Sequence, residues 1–243
     1  PTAATVLNIT QDHLDWHDSM DDYAHAKAHV FGNKGVAILN RDDPAVMALL
    51  PQTEVATVPA AGKKTAQPAK VPARRRVSFG CGIPQRAGDF GLETVNGMTW
   101  LVRAIEDETH IRPRKDASAS PAMQLQRLMP ADALRIRGRH NACNALAALA
   151  LASETGAALA PMLYGLREYR GEAHRVEPVG VINGVEYFDD SKGTNVGAAL
   201  AALRGLGVER KLVAILGGEG KGQDFAPLMP AVRAHCRAVV LIG

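Results

Sequence analysis

Short apolar runs with strand character alternate along this chain with segments of helical periodicity. That alternation admits few architectures, chiefly parallel strands joined by crossover helices in an α/β layer structure. A strand-like stretch begins at Ala4, with Val6-Leu7-Asn8-Ile9 as its first clear run. A helix is expected over about residues 20–31 and a strand over 36–39. Pro44, after Asn40-Arg41-Asp42-Asp43, is well suited to open a short helix to about residue 50. Pro, Ala, Lys and Thr dominate residues 51–73, the composition of a solvated loop. Strands are expected next at 77–80, 91–95 and 98–102. Asn96-Gly97 between the last two is a hairpin signal, so a small antiparallel insertion should lie beside the main sheet. Helices follow at 141–155, stopped by Gly156, and at 161–169. A second unit opens near Gly171 with a hairpin turned by Asn183-Gly184, a helix over 195–205 and a strand over 211–216. The domain boundary is placed near 170–174. Residues 1–170 form one unit, with loop and insertion at 51–130, and residues 171–243 another.

Composition narrows the function. With 243 residues, 47% of them hydrophobic, the chain can bury a sizeable core. Its formal net charge is +3, and the one dense basic run, Arg74-Arg75-Arg76, is too small for a nucleic-acid footprint. Cys81, Cys143 and Cys236 form no CxxC pair, so neither a disulfide framework nor a zinc knuckle is expected and a reducing cytoplasm fits. No apolar stretch approaches the roughly 18 residues of a membrane span, and no leader opens the chain. Strand-like residues at both Pro1 and Gly243 lead to the expectation that the chain is an internal piece of a longer polypeptide.

Five constellations could carry chemistry. Asn8 to His17 follows a strand, where open α/β sheets place ligands. Its Asp and His residues could hold a divalent metal, or His13 could be a capping or core histidine. Lys27 shares the apolar stripe of Met20, Tyr23, Val30 and Phe31, so its ammonium must snorkel, pair or be chemically altered. Asn141 and Asn144 open the long helix. Asn141 suits a cap, and the Asn144 amide could pair with a base edge. Asp189-Asp190-Ser191-Lys192-Gly193-Thr194-Asn195 precedes a helix and offers an anion site without being a Walker loop, since GxxxxGK[ST] occurs nowhere. The turn Gly217 to Gly222, with Lys221, is weak alone but can converge with that loop on one anionic ligand.

These stretches carry a resemblance. Asn8-Ile9-Thr10-x-Asp12-His13-Leu14-Asp15, Tyr23-x-x-Ala26-Lys27 and Gly138-x-His140-Asn141-x-x-Asn144 resemble the central domain of the Mur ligases. His174-Arg175 and Asp190-Ser191-Lys192-x-Thr194-Asn195, with Gly217-Gly218-x-Gly220-Lys221, resemble the start of their C-terminal domain, in the form of the branch that adds D-glutamate. The resemblance implies part of a P-loop NTPase-like central domain followed by the first half of a Rossmann-like domain. It further implies ATP-dependent amide formation between UDP-N-acetylmuramoyl-L-alanine and D-glutamate, through an acyl phosphate, by a cytoplasmic monomer. His13 and a carbamylated Lys27 would bind Mg²⁺, with Lys27 and Lys192 serving catalysis. Asn144 would face adenine. Arg175, Asp190 and Lys192 would contact ribose and phosphates, and Thr194 and Lys221 the D-glutamate carboxylate. The family's GTNGKS-type loop and uridine-binding domain are expected before Pro1, and the remainder of the D-glutamate pocket after Gly243, so this polypeptide alone is expected to be inactive. Two other readings are a dinucleotide-binding oxidoreductase built on the turn after Leu216, and a non-catalytic scaffold.

Overall fold

A computed structural model describes residues 1–50, 74–107, 123–208 and 210–243. The solvated loop expected at 51–73 lies outside the described residues. β1 (Ala3–Val6), β2 (Val36–Asn40) and β3 (Arg76–Phe79) form a parallel sheet in that order. The run at 77–80, read from sequence as the first strand of the insertion, therefore belongs to the main sheet. Its partner is chosen by the tertiary fold, which the local pattern does not encode. β4 (Phe90–Val95), β5 (Met98–Glu106) and β6 (Met123–Pro130) make the antiparallel insertion, with Asn96 and Gly97 at φ 51° and 80° in the expected turn.

The pleat of β2 divides the core between the two faces of the sheet. Ala37 and Leu39 pack with Val6, Phe31 and Val46, beneath α1 (Met20–Ala28), the 3₁₀ turn His29–Phe31 and α2 (Pro44–Ala48). Ile38 points the other way, to Val77, Phe79, Phe90, Leu101 and the buried face of α3 (Arg139–Ser153). Along α3 the alanines at 142, 145, 147 and 150 let the helix lie close to the sheet, while Leu146 and Leu149 fill the gap. Gly156, at φ 79°, follows the helix as expected, and α4 (Leu159–Glu168) packs on α3.

The second unit has little interior. The hairpin β7 (Glu177–Ile182) and β8 (Val185–Asp189) turns at Asn183-Gly184. It is followed by α5 (Val196–Leu206), β9 (Leu212–Gly217), α6 (Leu228–His235) and β10 (Cys236–Ile242), which pairs parallel with β9. Neither hydrophobic cluster takes a buried member from this unit, and Val213, Ile215, Leu241 and Ile242 are exposed.

Cys81 and Cys143 are disulfide-bonded, with Cα atoms 6.0 Å apart and a sequence separation of 62. This corrects the expectation drawn from cysteine spacing. The pairing arises because the loop after β3 passes the second turn of α3, a contact that no sequence spacing announces.

Candidate active site

β1 ends at Val6, earlier than the run to Ile9 suggested, because side chains take over the backbone groups that follow. The Asn40 amide donates to the Leu7 carbonyl at 2.8 Å, and Ile9 N–H donates to Asp43 Oδ2 at 2.9 Å. Asp43 also caps α2 through Oδ1, accepting from Ala45 and Val46. The loop 7–17 is thus pinned to the corner between β2 and α2. Ser19 then caps α1 by accepting from Asp22 N–H at 3.1 Å.

Tyr23 is the hub of this corner. Its ring centroid lies 5.8 Å from that of His13 and 5.3 Å from that of His17, and Lys27 Nζ stands 4.8 Å above it. His13 and Lys27 therefore share one aromatic floor. His13 is exposed with φ 56°, so it is not a core histidine, and its carbonyl accepts from Trp16 and His17 N–H in the turn that follows. Its Nε2 is 3.7 Å from Asp12 Oδ2. An imidazole and a carboxylate are each competent ligands for a divalent metal. Val30, assigned to the buried stripe, is instead exposed, because the helix tightens into the 3₁₀ turn before reaching it. The stripe runs Tyr23, Lys27, Phe31.

The α3 end differs in detail from expectation. Gly138 (φ 95°) is the N-cap residue, and Asn141 lies inside the first turn, donating to the Arg137 carbonyl at 2.8 Å. Asn141 Oδ1 in turn accepts from the exposed Asn144 amide at 3.2 Å. Asn144 lines a largely apolar cavity of about 450 Å³ with Ile136, Ala148, Met162, Leu166 and Tyr169. Its size and lining suit a planar heterocycle.

In the second unit the 174–176 segment is knitted to the 189–195 loop. Asp189 Oδ2 lies 2.7 Å from His174 Nδ1, Asp190 Oδ1 accepts from Val176 N–H at 3.1 Å, and Lys192 N–H donates to the His174 carbonyl at 3.0 Å. Adjacent aspartates are driven apart electrostatically. The hydrogen bond from His174 pulls Asp189 down to about 2 and raises His174, whereas burial pushes Asp190 up. Among the described residues, the side chains of Arg175, Lys192, Thr194 and Lys221 have neither a hydrogen bond nor an ion pair. Gln223, just past the glycine-rich turn, accepts from Val196 N–H at 2.8 Å and so brings that turn to the start of α5.

The two units meet along α5. Asn195 caps it by accepting from Ala198 N–H and also donates to Asp12 Oδ2, both at 2.8 Å. A Cβ at Gly197 would come within 2.7 Å of Thr10, and one at Gly205 would overlap the His140 ring. His140 Nδ1 is buried without a hydrogen-bond partner, and burial lowers the imidazole below its ordinary value. Six non-glycine residues have positive φ among those described. Asn96 and Asn183 turn hairpins; His13, His174 and Lys221 fall on stretches singled out from the sequence, and Val176 lies two residues past His174. Such strain persists where the surroundings over-determine it, and it clusters at working sites. Sequence reasoning missed Asp12, His17 and Asp189 as partners, and the double use of Asn195.

Residues 1–80 match the Mur ligase middle domain, and residues 174–243 match the Mur ligase glutamate ligase domain. The chain belongs to the Mur ligase family. Over its full length it is 64% identical to UDP-N-acetylmuramoylalanine–D-glutamate ligase of Albidiferax ferrireducens and 63% identical to that of a Polaromonas species. It spans 46% and 39% of the length of those curated relatives. MurF from Acinetobacter baumannii shares the fold, with a TM-score of 0.61 at 19% identity over 100% of this chain and 47% of that one. Thermotoga maritima UDP-N-acetylmuramate-alanine ligase does so with a TM-score of 0.56 at 19% identity, over 99% of this chain and 45% of that one. The mixed α/β architecture is thus that of Mur ligase middle and C-terminal domains, with an antiparallel insertion in the first. No helix among the described residues is long and apolar enough to cross a membrane.

Proposed function

We propose that these residues form one wall of a nucleotide cleft in an ATP-dependent ligase that joins D-glutamate to UDP-N-acetylmuramoyl-L-alanine for peptidoglycan precursors. The observation that carries this reading is the bridge from Asp12 to Asn195. It sets the His13–Tyr23–Lys27 corner beside a loop whose Lys192 and Thr194 have no side-chain partner among the described residues. Free cations facing a carboxylate–imidazole corner are what an anionic acid and an anionic phosphate need in order to meet.

On this reading the Asn144 amide pairs with adenine, whose faces rest on the apolar lining of the 450 Å³ groove. Arg175 and Lys192 hold phosphate oxygens, and Asp190 accepts from the ribose. The upward push on Asp190 suits a carboxyl that meets a neutral hydroxyl. His13 and Lys27, the latter as its carbamate, would hold Mg²⁺, and the ion would supply charge neutralisation where an anionic phosphate meets a carboxylate. Phosphoryl transfer gives an acyl phosphate. Thr194 and Lys221 fix the D-glutamate carboxylate, leaving its amine to attack the acyl carbon and expel phosphate. By the same family resemblance the whole ligase acts as a cytoplasmic monomer. The sequence has no GxxxxGK[ST] loop to cradle the phosphates, so the 243 residues by themselves should bind nucleotide weakly and not turn over.

Calorimetric titration tests the reading. Saturable binding of ATP with Mg²⁺, weakened about tenfold by Asn144→Ala, supports it, because a lost paired hydrogen bond to a base is worth roughly 1–2 kcal/mol. Saturable NADH binding with none for ATP would overturn it in favour of a dinucleotide enzyme.

A further inference from the structure

Cys81 sits in the loop after β3, partly exposed, while its disulfide partner Cys143 is buried in the second turn of α3. That loop is gripped by two guanidinium groups. Arg41 donates to the carbonyls of Gly80 and Gly82, and Arg139, the first residue of α3, donates to the Cys81 carbonyl at 2.6 Å. Asp42 Oδ2 accepts from Cys81 N–H at 2.5 Å. A carboxylate oxygen of Asp42 lies within 4.8 Å of both sulfurs, so the two guanidinium groups that hold the loop by its carbonyls are opposed there by a negative charge. The partial exposure of Cys81 gives a small thiol or disulfide access to one end of the bond, and access is one of the requirements for exchange.

We propose that Cys81 and Cys143 are a reversible thiol–disulfide modification site that ties down or releases the N-terminal turns of α3. Asn144 follows Cys143 directly, and His140, one turn earlier, packs against Gly205 of α5. The bond therefore fixes the helix end that faces both the apolar cavity and the seam between the two units. A bond with one end partly exposed is open to exchange with solution thiols in a way that a pair sealed in the core is not.

The chemistry closes on itself. The Cys81 thiolate attacks a small-molecule disulfide such as oxidised glutathione, breaks its S–S bond and releases one thiolate. Cys143 gives up its proton to solvent and attacks the Cys81 sulfur, forming the protein disulfide and expelling the second thiolate. Two cysteine thiols are oxidised by two electrons, one small disulfide is reduced to two thiols, and the two protons end on those thiols. Excess reduced thiol runs the sequence backwards.

The test is equilibration of the 243-residue chain in graded ratios of reduced and oxidised glutathione, with acid quench, unfolding, alkylation and peptide mass analysis. Cys81 and Cys143 should become protected together in a single two-electron transition, while Cys236 still alkylates. The oxidised chain should melt about 5–10 °C higher than the reduced one, as expected for closing a loop of this length. Backbone amides in the first two turns of α3 should exchange more slowly, and Cys81→Ser should abolish both differences. The comparison of redox states needs no variant, so a folding defect in Cys81→Ser cannot mask the answer. Accumulation of a Cys81–glutathione adduct with Cys143 still alkylatable would overturn the proposal, as would identical melting and exchange in the two states. ATP titration plays no part in these readouts, so they stand or fall separately from the ligase reading.

Discussion

His13 holds a backbone conformation that glycine adopts more easily, yet it is an exposed imidazole at φ 56°. His13→Gly should therefore raise unfolding stability by about 1 kcal/mol while weakening any Mg²⁺-dependent nucleotide binding. Denaturant melts and titrations with and without Mg²⁺ read the two effects. A gain in stability without loss of Mg²⁺ dependence would remove His13 from the metal site. Two other histidines shape the response to pH in opposite senses. His140 is lowered by burial, so the unfolded chain takes up its proton first and stability falls as pH drops from about 6.5 through the lowered value. His174 is raised by Asp189, so the stability it contributes is full below about 6.5 and is lost as pH climbs through the raised value. Asp189 adds a loss as pH falls from 3.8 through about 2. Stability should peak near pH 6.5, with a shallow alkaline limb because the His174–Asp189 pair is exposed. Melting across pH should show that limb flattened in His174→Gln and the acid limb reduced in His140→Asn; a curve with no change at either limb would remove both assignments.

At the scale of elements, α5 joins the two units through its cap. Asn195 satisfies its own helix and also binds Asp12, so Asn195→Ala should cost more than the roughly 1 kcal/mol of a lost cap, and Asp12→Ala should cost less. A double-mutant cycle should give a coupling of about 0.5–1 kcal/mol; zero coupling would mean the bridge is not formed in solution. The elements themselves were unevenly legible. Both hairpins could be read because Asn-Gly carries its turn geometry locally. β6, with its Met-Gln-Leu-Gln-Arg start, lacks the branched residues that mark a strand, and it forms because β5 offers an edge. α6 escaped notice for the same kind of reason: it is short and gains its shape by packing on α5. β3 was visible as a strand but assigned to the wrong sheet. Within the candidate site, motif residues could be read one by one, because each has a local pattern. Their partners could not, since Asp12 and Asn195 lie 183 residues apart and His174 and Asp189 lie 15 apart.

For the molecule as a whole, burial is lopsided. The large fully buried side chains, among them Phe31, Phe79, Leu101 and Leu146, all belong to the first unit, while β9 and β10 expose a continuous set of valines, leucines and isoleucines. Local unfolding should follow that division. Hydrogen exchange should be slowest in α3 and roughly 100-fold faster or more in β9 and β10, which can open without disturbing the first core. Uniform protection across both units would refute this picture. The glycines of α5 have a further consequence. At 197 and 205 the helix has no side chain to keep the units apart, and Thr10 and His140 fill the space. A molecule that wedged itself into that seam would hold the two units apart there. Gly205→Ala mimics such a wedge with a single methyl group.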